Sequence, residues 1–87
     1  MPRPEGVVFL QLGSKGHKVV VLQKRMNRDF PAFSHLVEDG DFGAQTQRVV
    51  VDFQRSSGLV DDGIAGPATL VTLELPVRED DPQWNEP

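Results

Sequence analysis

Two aspartates, Asp39 and Asp41, stand two positions apart beside a glycine, which is the spacing with which a calcium-binding loop begins. Such a loop also needs a glycine at its sixth position and, at its twelfth, a glutamate that binds through both oxygens. Ala44 and Val50 occupy those two positions here. We therefore expect no calcium site at this turn.

The other residue types that could do chemistry lack the partners or the context that the chemistry requires. Zinc needs three or four protein ligands, whereas the chain has only two histidines, His17 and His35, and no cysteine. Serines such as Ser14 lie outside any strand, turn and helix motif of the hydrolase kind. The aspartates lie in turn-forming contexts, where their side chains bond to nearby backbone groups. We expect no catalytic residue, no metal site and no cofactor.

The charge of the chain is concentrated at one end. The 87 residues carry a net charge of −4, and the whole imbalance lies in residues 74–87. The neutral remainder lacks the basic face that nucleic-acid-binding proteins show. The apolar run at residues 19–22, a length that no other run exceeds, is far shorter than the roughly 20 residues of a membrane span. We expect one soluble domain with neither nucleic acid nor membrane as partner, and no signal peptide in this chain.

A short internal repeat is the most informative feature of the sequence. Residues 39–46 return 23 positions later as residues 62–69, with Asp, Gly, Gly and Thr in register. The Asp-Gly pair favours a tight turn, and the second glycine stands where a helix could begin. Each copy predicts a turn, a short extended piece and a helix start.

The spacing of apolar residues, together with residues typical of helix ends, predicts two longer helices. Apolar residues at helical spacing favour a helix over residues 15–28, and Ser14 is the expected cap at its start. A second helix is predicted over residues 44–57, and Gly58 stands where a C-terminal glycine would end it.

A third, shorter helix is predicted to begin at Pro67 and to end before Pro76. Between the first two helices, residues 30–37 are apolar but interrupted by proline, so we expect a packed loop there. The proline-containing segment 1–9 is predicted to be flexible, and the acidic tail 76–87 to be disordered.

The apolar positions of the three helices and of the repeat predict the core. Trp84 is not among them, because we expect it to be solvated within the tail. The predicted core residues are Leu10, Leu12, Val19, Leu22, Met26, Phe30, Phe42, Val49, Val50, Phe53, Leu59, Ile64, Leu70 and Leu73.

Four blocks of residues, in this order, resemble the peptidoglycan-binding domain, type 1. The blocks are Leu12-Gly13-Ser14-x-Gly16-x-x-Val19-x-x-Leu22-Gln23, Asp39-Gly40-x-Phe42-Gly43-x-x-Thr46, Val50-x-x-Phe53-Gln54-x-x-x-Gly58-Leu59 and Asp62-Gly63-Ile64-x-Gly66-Pro67-Ala68-Thr69. The resemblance implies an all-α fold, a compact three-helix bundle with a pseudo-repeat of turn-helix units, over residues 10–75. The stretch 29–38 is longer than is common in the family.

The resemblance also implies a function. Domains of this family are non-catalytic modules that hold cell-wall hydrolases, phage endolysins among them, on bacterial peptidoglycan. The expected partners are peptidoglycan, through its stem peptide or glycan, and a linked catalytic domain. We expect a monomer that acts in the cell wall, the periplasm or outside the cell, or that a phage encodes and releases to the wall. The alternative is a prodomain-like or structural protein-interaction module that does not bind the wall.

The duplicated turn suggests where a ligand would lie, namely a shallow groove between the two copies and the helix starts beside them. Aspartates and threonines would bond amide and hydroxyl groups of a muropeptide, two apolar residues would pack on it, and an arginine would suit a stem-peptide carboxylate. The predicted ligand-binding residues are Asp39, Asp41, Phe42, Thr46, Arg48, Asp62, Ile64 and Thr69.

Overall fold

Three α-helices form the regular structure of residues 6–85, the part of the chain that the computed structural model describes. The helices are α1, His17–Asp29, α2, Ala44–Ser56, and α3, Pro67–Thr72, and a 3₁₀ turn at Pro82–Asn85 follows them. These bounds confirm the predicted all-α fold with three helices. No helix within residues 6–85 combines the length and the apolar character that crossing a membrane would take.

The end of α2 has the predicted glycine. Gly58 adopts a left-handed conformation with φ of 72°. Its N–H donates to the carbonyl of Arg55 at 3.3 Å, and the N–H of Leu59 donates to the carbonyl of Gln54 at 2.9 Å. This pair of bonds is a Schellman motif, which satisfies carbonyls at the helix end.

The third helix ends in the same motif without a glycine. The N–H of Glu74 donates to the carbonyl of Val71 at 2.9 Å, and that of Leu75 donates to Leu70 at 2.8 Å. Glu74 has a φ of 59°, and it is the single non-glycine residue with positive φ in the described part of the chain. A side chain in this conformation carries a steric cost that glycine avoids.

The predicted cap of α1 is wrong. The N-cap residue is Gly16, with φ of 121°, and no side chain caps the helix. Ser14 lies in a turn instead, where its Oγ accepts a hydrogen bond from the N–H of Gln11 at 3.0 Å and its own N–H donates to the Gln11 carbonyl at 2.8 Å. Ser14 therefore stabilises the turn that precedes the helix and does not cap the first turn of the helix.

The segment before α1 contacts both copies of the repeat. Leu10 forms an isolated antiparallel bridge with Ala65, and Lys15 forms one with Asp41. Ala65 belongs to the second copy and Asp41 to the first, so a single short segment joins the two turns. The 11–14 turn lies between these bridges, and the ends of such a turn are less than about 7 Å apart.

The core is close to the predicted one, with instructive differences. The prediction that Leu12 belongs to the core is wrong, because Leu12 lies at the tip of the 11–14 turn and is 56% exposed. Phe30, Leu59 and Ile64 are only half-buried. The prediction missed apolar residues that lie outside the three helices, which the N-terminal segment, the loops and the C-terminal segment bring into the core: Val8, Leu36, Ala65, Leu75 and Trp84.

The prediction that Trp84 is solvated is also wrong. The side chain is 1% exposed, and its Nε1–H donates to the carbonyl of Arg78 at 2.8 Å. The Lys18 ammonium lies 5.8 Å from the centre of the Trp84 ring. Composition predicted disorder over residues 76–87, but one large aromatic side chain buries enough apolar surface to hold residues 76–85 on the helices.

The N-terminal segment pairs with this C-terminal segment. The N–H of Val8 donates to the carbonyl of Val77 at 2.9 Å, and Val8 is buried in the core. The folded unit therefore includes residues on both sides of the predicted domain 10–75. Of the segments predicted to be flexible or disordered, residues 1–5 and 86–87 lie outside the described residues.

The loop between α1 and α2 is packed, as predicted. Asn27 on α1 holds it: its amide nitrogen donates to the carbonyl of Leu36 at 2.8 Å, and its amide oxygen accepts from the Ser34 hydroxyl at 2.6 Å. Ser34 and Leu36 are both buried. One helical turn forms at the start of the loop, where the N–H of Ser34 reaches the carbonyl of Phe30 at 2.9 Å.

Candidate functional site

A buried glutamine of α1 organises the first copy of the repeat. Gln23 is 1% exposed, and its amide nitrogen donates to Asp39 Oδ1 at 3.3 Å and to the carbonyl of Asp41 at 3.1 Å. The same nitrogen lies 3.2 Å from Thr46 Oγ1. The Gln23 amide oxygen accepts from the N–H of Gly40 at 2.9 Å.

A buried glutamine of α2 organises the second copy with the same set of bonds. The Gln54 amide nitrogen donates to Asp62 Oδ1 at 3.1 Å and to the carbonyl of Ile64 at 3.0 Å. It also donates to Thr69 Oγ1 at 3.1 Å, and the amide oxygen accepts from the N–H of Gly63 at 2.9 Å. We call the two sets the first and the second glutamine network.

The two networks have the same hydrogen bonds, although the stretches of chain between the glutamine and the aspartate differ in length. Sixteen residues separate Gln23 from Asp39, whereas eight separate Gln54 from Asp62. The additional residues fall in the stretch 29–38, and the hydrogen bonds form at the same positions regardless. The networks therefore define a repeat of three-dimensional structure, in which a helix side chain fixes the turn that follows it.

The repeat in the sequence is longer than the eight residues first recognised. Leu36 and Val37 occur 23 positions before Leu59 and Val60, so residues 36–46 match residues 59–69. We call these stretches the first corner and the second corner. Each corner borders a groove that its own residues line.

The second groove is the larger and is mostly apolar. Its volume is about 780 Å³, within the range of small-molecule sites. Phe9 and Gln11, from the segment before α1, complete its wall. The residues of the second corner and of the end of α2 that line it are Gln54, Gly58, Leu59, Val60, Asp62, Ile64, Gly66, Pro67, Ala68 and Thr69.

A close approach of backbone and ring shapes the second groove. A Cβ atom on Gly66 would lie 3.0 Å from the ring of Phe9, which is closer than a real Cβ atom normally comes. Glycine at this position therefore lets Phe9 pack on the start of α3. This contact makes the ring one wall of the groove.

The first groove is smaller and more polar. Its volume is about 240 Å³. Asp41 and Gln45 stand where the second corner has Ile64 and Ala68. The lining residues are Gln23, Leu36, Val37, Asp39, Asp41, Gly43, Ala44, Gln45 and Thr46.

Three of the predicted ligand-binding residues are buried, two of them at the edges of the grooves. Phe42 is 0% exposed, and Thr46 and Thr69 are buried acceptors of the glutamine networks. Phe42 therefore belongs to the core and offers no apolar surface to a ligand. The structure assigns the two threonines to holding the corners.

The structure separates the remaining predicted residues. Ile64 and Asp62 lie together in the second groove, whereas Asp39 and Asp41 line the first. Arg48 lines neither groove: its side chain is 79% exposed on α2 and lies 3.6 Å from Asp52 in an i,i+4 ion pair. The eight predicted residues thus divide between two grooves, the core and the surface of a helix.

In each aspartate that begins a turn, one of the two carboxylate oxygens accepts the hydrogen bonds that hold the turn. Asp39 Oδ1 accepts from the N–H of Asp41 at 3.0 Å, and Asp62 Oδ1 accepts from the N–H of Ile64 at 3.0 Å. The hydrogen bond from the Asp41 N–H, with a smaller contribution from Gln23, lowers the pKa of Asp39. No other described residue hydrogen-bonds to the second oxygen, Oδ2, of either carboxylate.

The two glutamines and the outer wall of the second groove were missed by the sequence analysis. Gln23 and Gln54 follow Leu22 and Phe53 on the buried faces of their helices, and a polar residue repeated at such a position is a signal for a buried network. Phe9 carried no such signal, because its place in the groove depends on a bridge between distant residues. Within residues 6–85, no three histidine, aspartate or glutamate side chains are grouped as metal ligands.

Comparison with known proteins decides the family. A model of the peptidoglycan binding domain family matches residues 15–73, which is more than half of the chain and includes both glutamine networks. This chain belongs to the peptidoglycan-binding domain family. The predicted resemblance is thereby confirmed.

Relatives of this peptidoglycan-binding domain include wall-acting enzymes. It is 45% identical over 58 residues to the N-acetylmuramoyl-L-alanine amidase CwlM of Mycobacterium tuberculosis, and the match covers 67% of this chain and 14% of the amidase. The solved endolysin of Burkholderia phage AP3 is 41% identical with a TM-score of 0.68, covering 76% of this chain and 24% of that one. The chain thus spans a small part of these proteins.

A third relative is itself a domain of similar size. The solved N-terminal domain of SleB is 34% identical with a TM-score of 0.71. The match covers 77% of this chain and 89% of that one. The peptidoglycan-binding domain described here and that domain therefore share one fold over nearly the whole of the smaller structure.

Proposed function

We propose that this domain holds a linked wall-acting enzyme on peptidoglycan, and that the second groove is the binding site. The observation that carries the site is the difference between the two grooves. The same turn and the same network border both, yet the second has the more apolar walls and, unlike the first, a volume within the range of small-molecule sites.

Two apolar side chains at the second groove, Val60 and Ile64, have little role in the fold. Val60 is 78% exposed, and Ile64 is half-buried without belonging to the core. Water contact with such side chains is unfavourable, so a ligand that covers them gains free energy from the apolar area it buries. The methyl groups of acetamido sugars and of alanine-containing stem peptides supply suitable surface.

The benefit of this domain to a linked enzyme is a higher effective concentration of the enzyme's substrate. The amidase and the endolysin are much longer than the stretch that this domain matches. A domain that binds the wall weakly, joined to an enzyme by a short flexible linker, keeps the enzyme near its substrate at roughly millimolar effective concentration. A monomer at the cell wall is sufficient for this role, and the chemistry belongs to the enzyme.

Cosedimentation with insoluble peptidoglycan tests the proposal. The double variant Val60→Asn/Ile64→Asn removes apolar surface from the second groove, and it should bind sacculi about tenfold more weakly than the wild type. The matched control is Val37→Asn/Asp41→Asn, which places the same residues at the corresponding positions of the first corner. The control should bind like the wild type.

Each outcome bears on a different part of the proposal. A wild-type domain that stays in the supernatant with sacculi would contradict peptidoglycan binding. Binding that both double variants weaken equally, or that only the first-corner variant weakens, would keep the function and overturn the assignment to the second groove. Thermal unfolding of each variant ensures that the comparison is between folded domains.

A further inference from the structure

We infer that the second groove binds an alkyl-ammonium group of peptidoglycan, the side chain of a stem-peptide diamino acid whose terminal amine is free, and that Asp62 receives that amine. The inference rests on the proposed function and narrows it. It assigns the groove to one chemical group of the polymer, and it makes binding depend on amines that cross-linking would occupy.

The charge around the second groove argues for a cationic ligand group. Among the residues of the described range 6–85 that line it, Asp62 is the one ionisable side chain, and none is a lysine, arginine or histidine. Arg55 lies in the same part of α2, but its Nε is 2.7 Å from Asp61 Oδ2, so its charge is already paired. A ligand carboxylate would meet no free cation among the described lining residues and would be repelled by Asp62.

The Asp62 carboxylate has capacity left for a ligand. Its Oδ1 holds the turn through Gln54 and the N–H of Ile64, whereas its Oδ2 has no hydrogen-bond partner among residues 6–85. Oδ1 is fixed by these two bonds, so the carboxylate is held in position before a ligand arrives. An ammonium at Oδ2 would form a charge-assisted hydrogen bond with an already oriented acceptor.

The apolar walls suit the rest of such a side chain. Val60 and Ile64 lie in the same groove as the carboxylate, and the ring of Phe9 also lines it. A flexible alkyl chain that ends in an ammonium buries its methylene groups against apolar surface and directs its charged end to a polar partner. One carboxylate beside several apolar residues therefore matches a ligand side chain that has methylene groups along its length and an ammonium at its end.

The first groove lacks this combination and serves as an internal reference. Asp39 occupies the position of Asp62 and is equally held through Oδ1. Beside it stands Asp41, whose Oδ1 pairs with the Lys15 ammonium at 3.0 Å, in place of the apolar Ile64. A cation thus already lies at the first groove, and the walls for an alkyl chain are reduced.

Acetylation of the polymer tests the inference with the wild-type domain alone. Protein-free sacculi with N-acetylated amino sugars keep their primary amines on the stem peptides, and acetic anhydride converts these amines to neutral amides. The wild-type domain should bind acetylated sacculi about fivefold more weakly than untreated ones, as expected for the loss of one charge-assisted hydrogen bond.

Two variants assign the effect to the carboxylate. Asp62→Asn keeps the oxygen that the turn needs and removes the charge, and it should bind untreated sacculi about fivefold more weakly and lose the response to acetylation. Asp39→Asn makes the same change at the first corner and should behave like the wild type. Equal binding of the wild type to both forms of sacculi, or an unchanged acetylation response in Asp62→Asn, would overturn the inference. Absence of binding to untreated sacculi would instead contradict the proposed function.

Discussion

The two corners of this domain have the same construction and different surfaces. In each, a buried glutamine of the preceding helix bonds to the aspartate, the glycine and the threonine of the turn. The groove beside the first corner has about 240 Å³ and a mixed polar and apolar lining, whereas that beside the second has about 780 Å³ and a mostly apolar lining. The residues that make the turn are thus shared, whereas Ile64 and Ala68 of the second corner replace Asp41 and Gln45 of the first.

This comparison separates structural residues from ligand-facing ones. Every position of a corner that bonds to the glutamine has the same residue type in both copies, apart from the backbone carbonyl of Asp41 or Ile64, which any residue supplies. Positions that point outward, such as Gln45 and Ala68, differ in size and polarity. Repetition within one chain therefore identifies what the fold requires, and the departures at Ile64 and Ala68 are what distinguish the second groove from the first.

The largest expected effect is loss of a glutamine network. Gln23→Leu or Gln54→Leu should each lower the free energy of unfolding by about 3 kcal/mol, because several buried polar groups lose their partner. Gln45→Leu, at an exposed position of α2, should change it by less than about 0.5 kcal/mol. Urea unfolding measures all three variants. A large loss at only one corner would show that the two networks are not equivalent.

The glycines at the two turns distinguish the corners. Gly40 and Gly63 both have positive φ, 79° and 74°, so alanine at either should cost about 1 to 2 kcal/mol. A Cβ on Gly40 would also lie 2.9 Å from the backbone carbonyl oxygen of Gly16, whereas one on Gly63 would meet the movable side chain of Gln47 at 3.1 Å. Gly40→Ala should therefore destabilise by about 1 kcal/mol more than Gly63→Ala. Equal losses in thermal unfolding would contradict the tighter packing at the first corner.

The helices that follow the two corners end in the same motif with different residues. Glu74→Gly should raise the free energy of unfolding by about 1 kcal/mol, because glycine relieves the left-handed conformation at the end of α3. Gly58→Ala at the end of α2 should lower it by a similar amount. Glu74→Gln is the control, since it removes the charge and keeps the strained backbone. A gain in Glu74→Gln as large as that in Glu74→Gly would assign the effect to charge.

Acid should weaken the first corner through Asp39. Hydrogen bonds in the folded domain lower the pKa of Asp39, so its contribution to stability is complete above the unfolded value of about 3.9. The contribution is lost as the pH falls from there through the lower folded-state pKa. Asp39→Asn, which does not titrate, should show a smaller loss of stability than the wild type between about pH 5 and pH 2. Parallel stability curves for the two proteins would contradict this role.

Local patterns in the sequence were sufficient for the helices. The helical spacing of apolar residues, with Gly58 as the end of α2 and Pro67 as the start of α3, predicted both helices closely. Helix formation and termination depend on neighbouring residues, which such patterns record. Ser14 was misassigned because its hydroxyl bonds to the backbone three residues away in a turn that competes with capping. Local rules left that choice open.

Contacts between distant residues account for what the sequence did not predict. Trp84 lies in an acidic, proline-containing segment, and its burial depends on a surface that α1 provides only in the folded domain. The candidate site was predicted in part: Asp62 and Ile64 line the second groove, but Phe42 proved to be interior, and the two threonines of the networks, although they border the grooves, are almost fully buried. A duplicated motif located the corners, and the structure was needed to show which side chains face outward.

The most direct test of the central claim is an NMR titration of the folded domain with soluble muropeptides, following the backbone amides of both corners. The account predicts that amide shifts saturate at the second corner, at Val60, Gly63 and Ile64, while Val37, Gly40 and Asp41 at the matching positions stay unchanged. Shifts confined to the first corner, or absent from both, would contradict the assignment of peptidoglycan binding to the second groove.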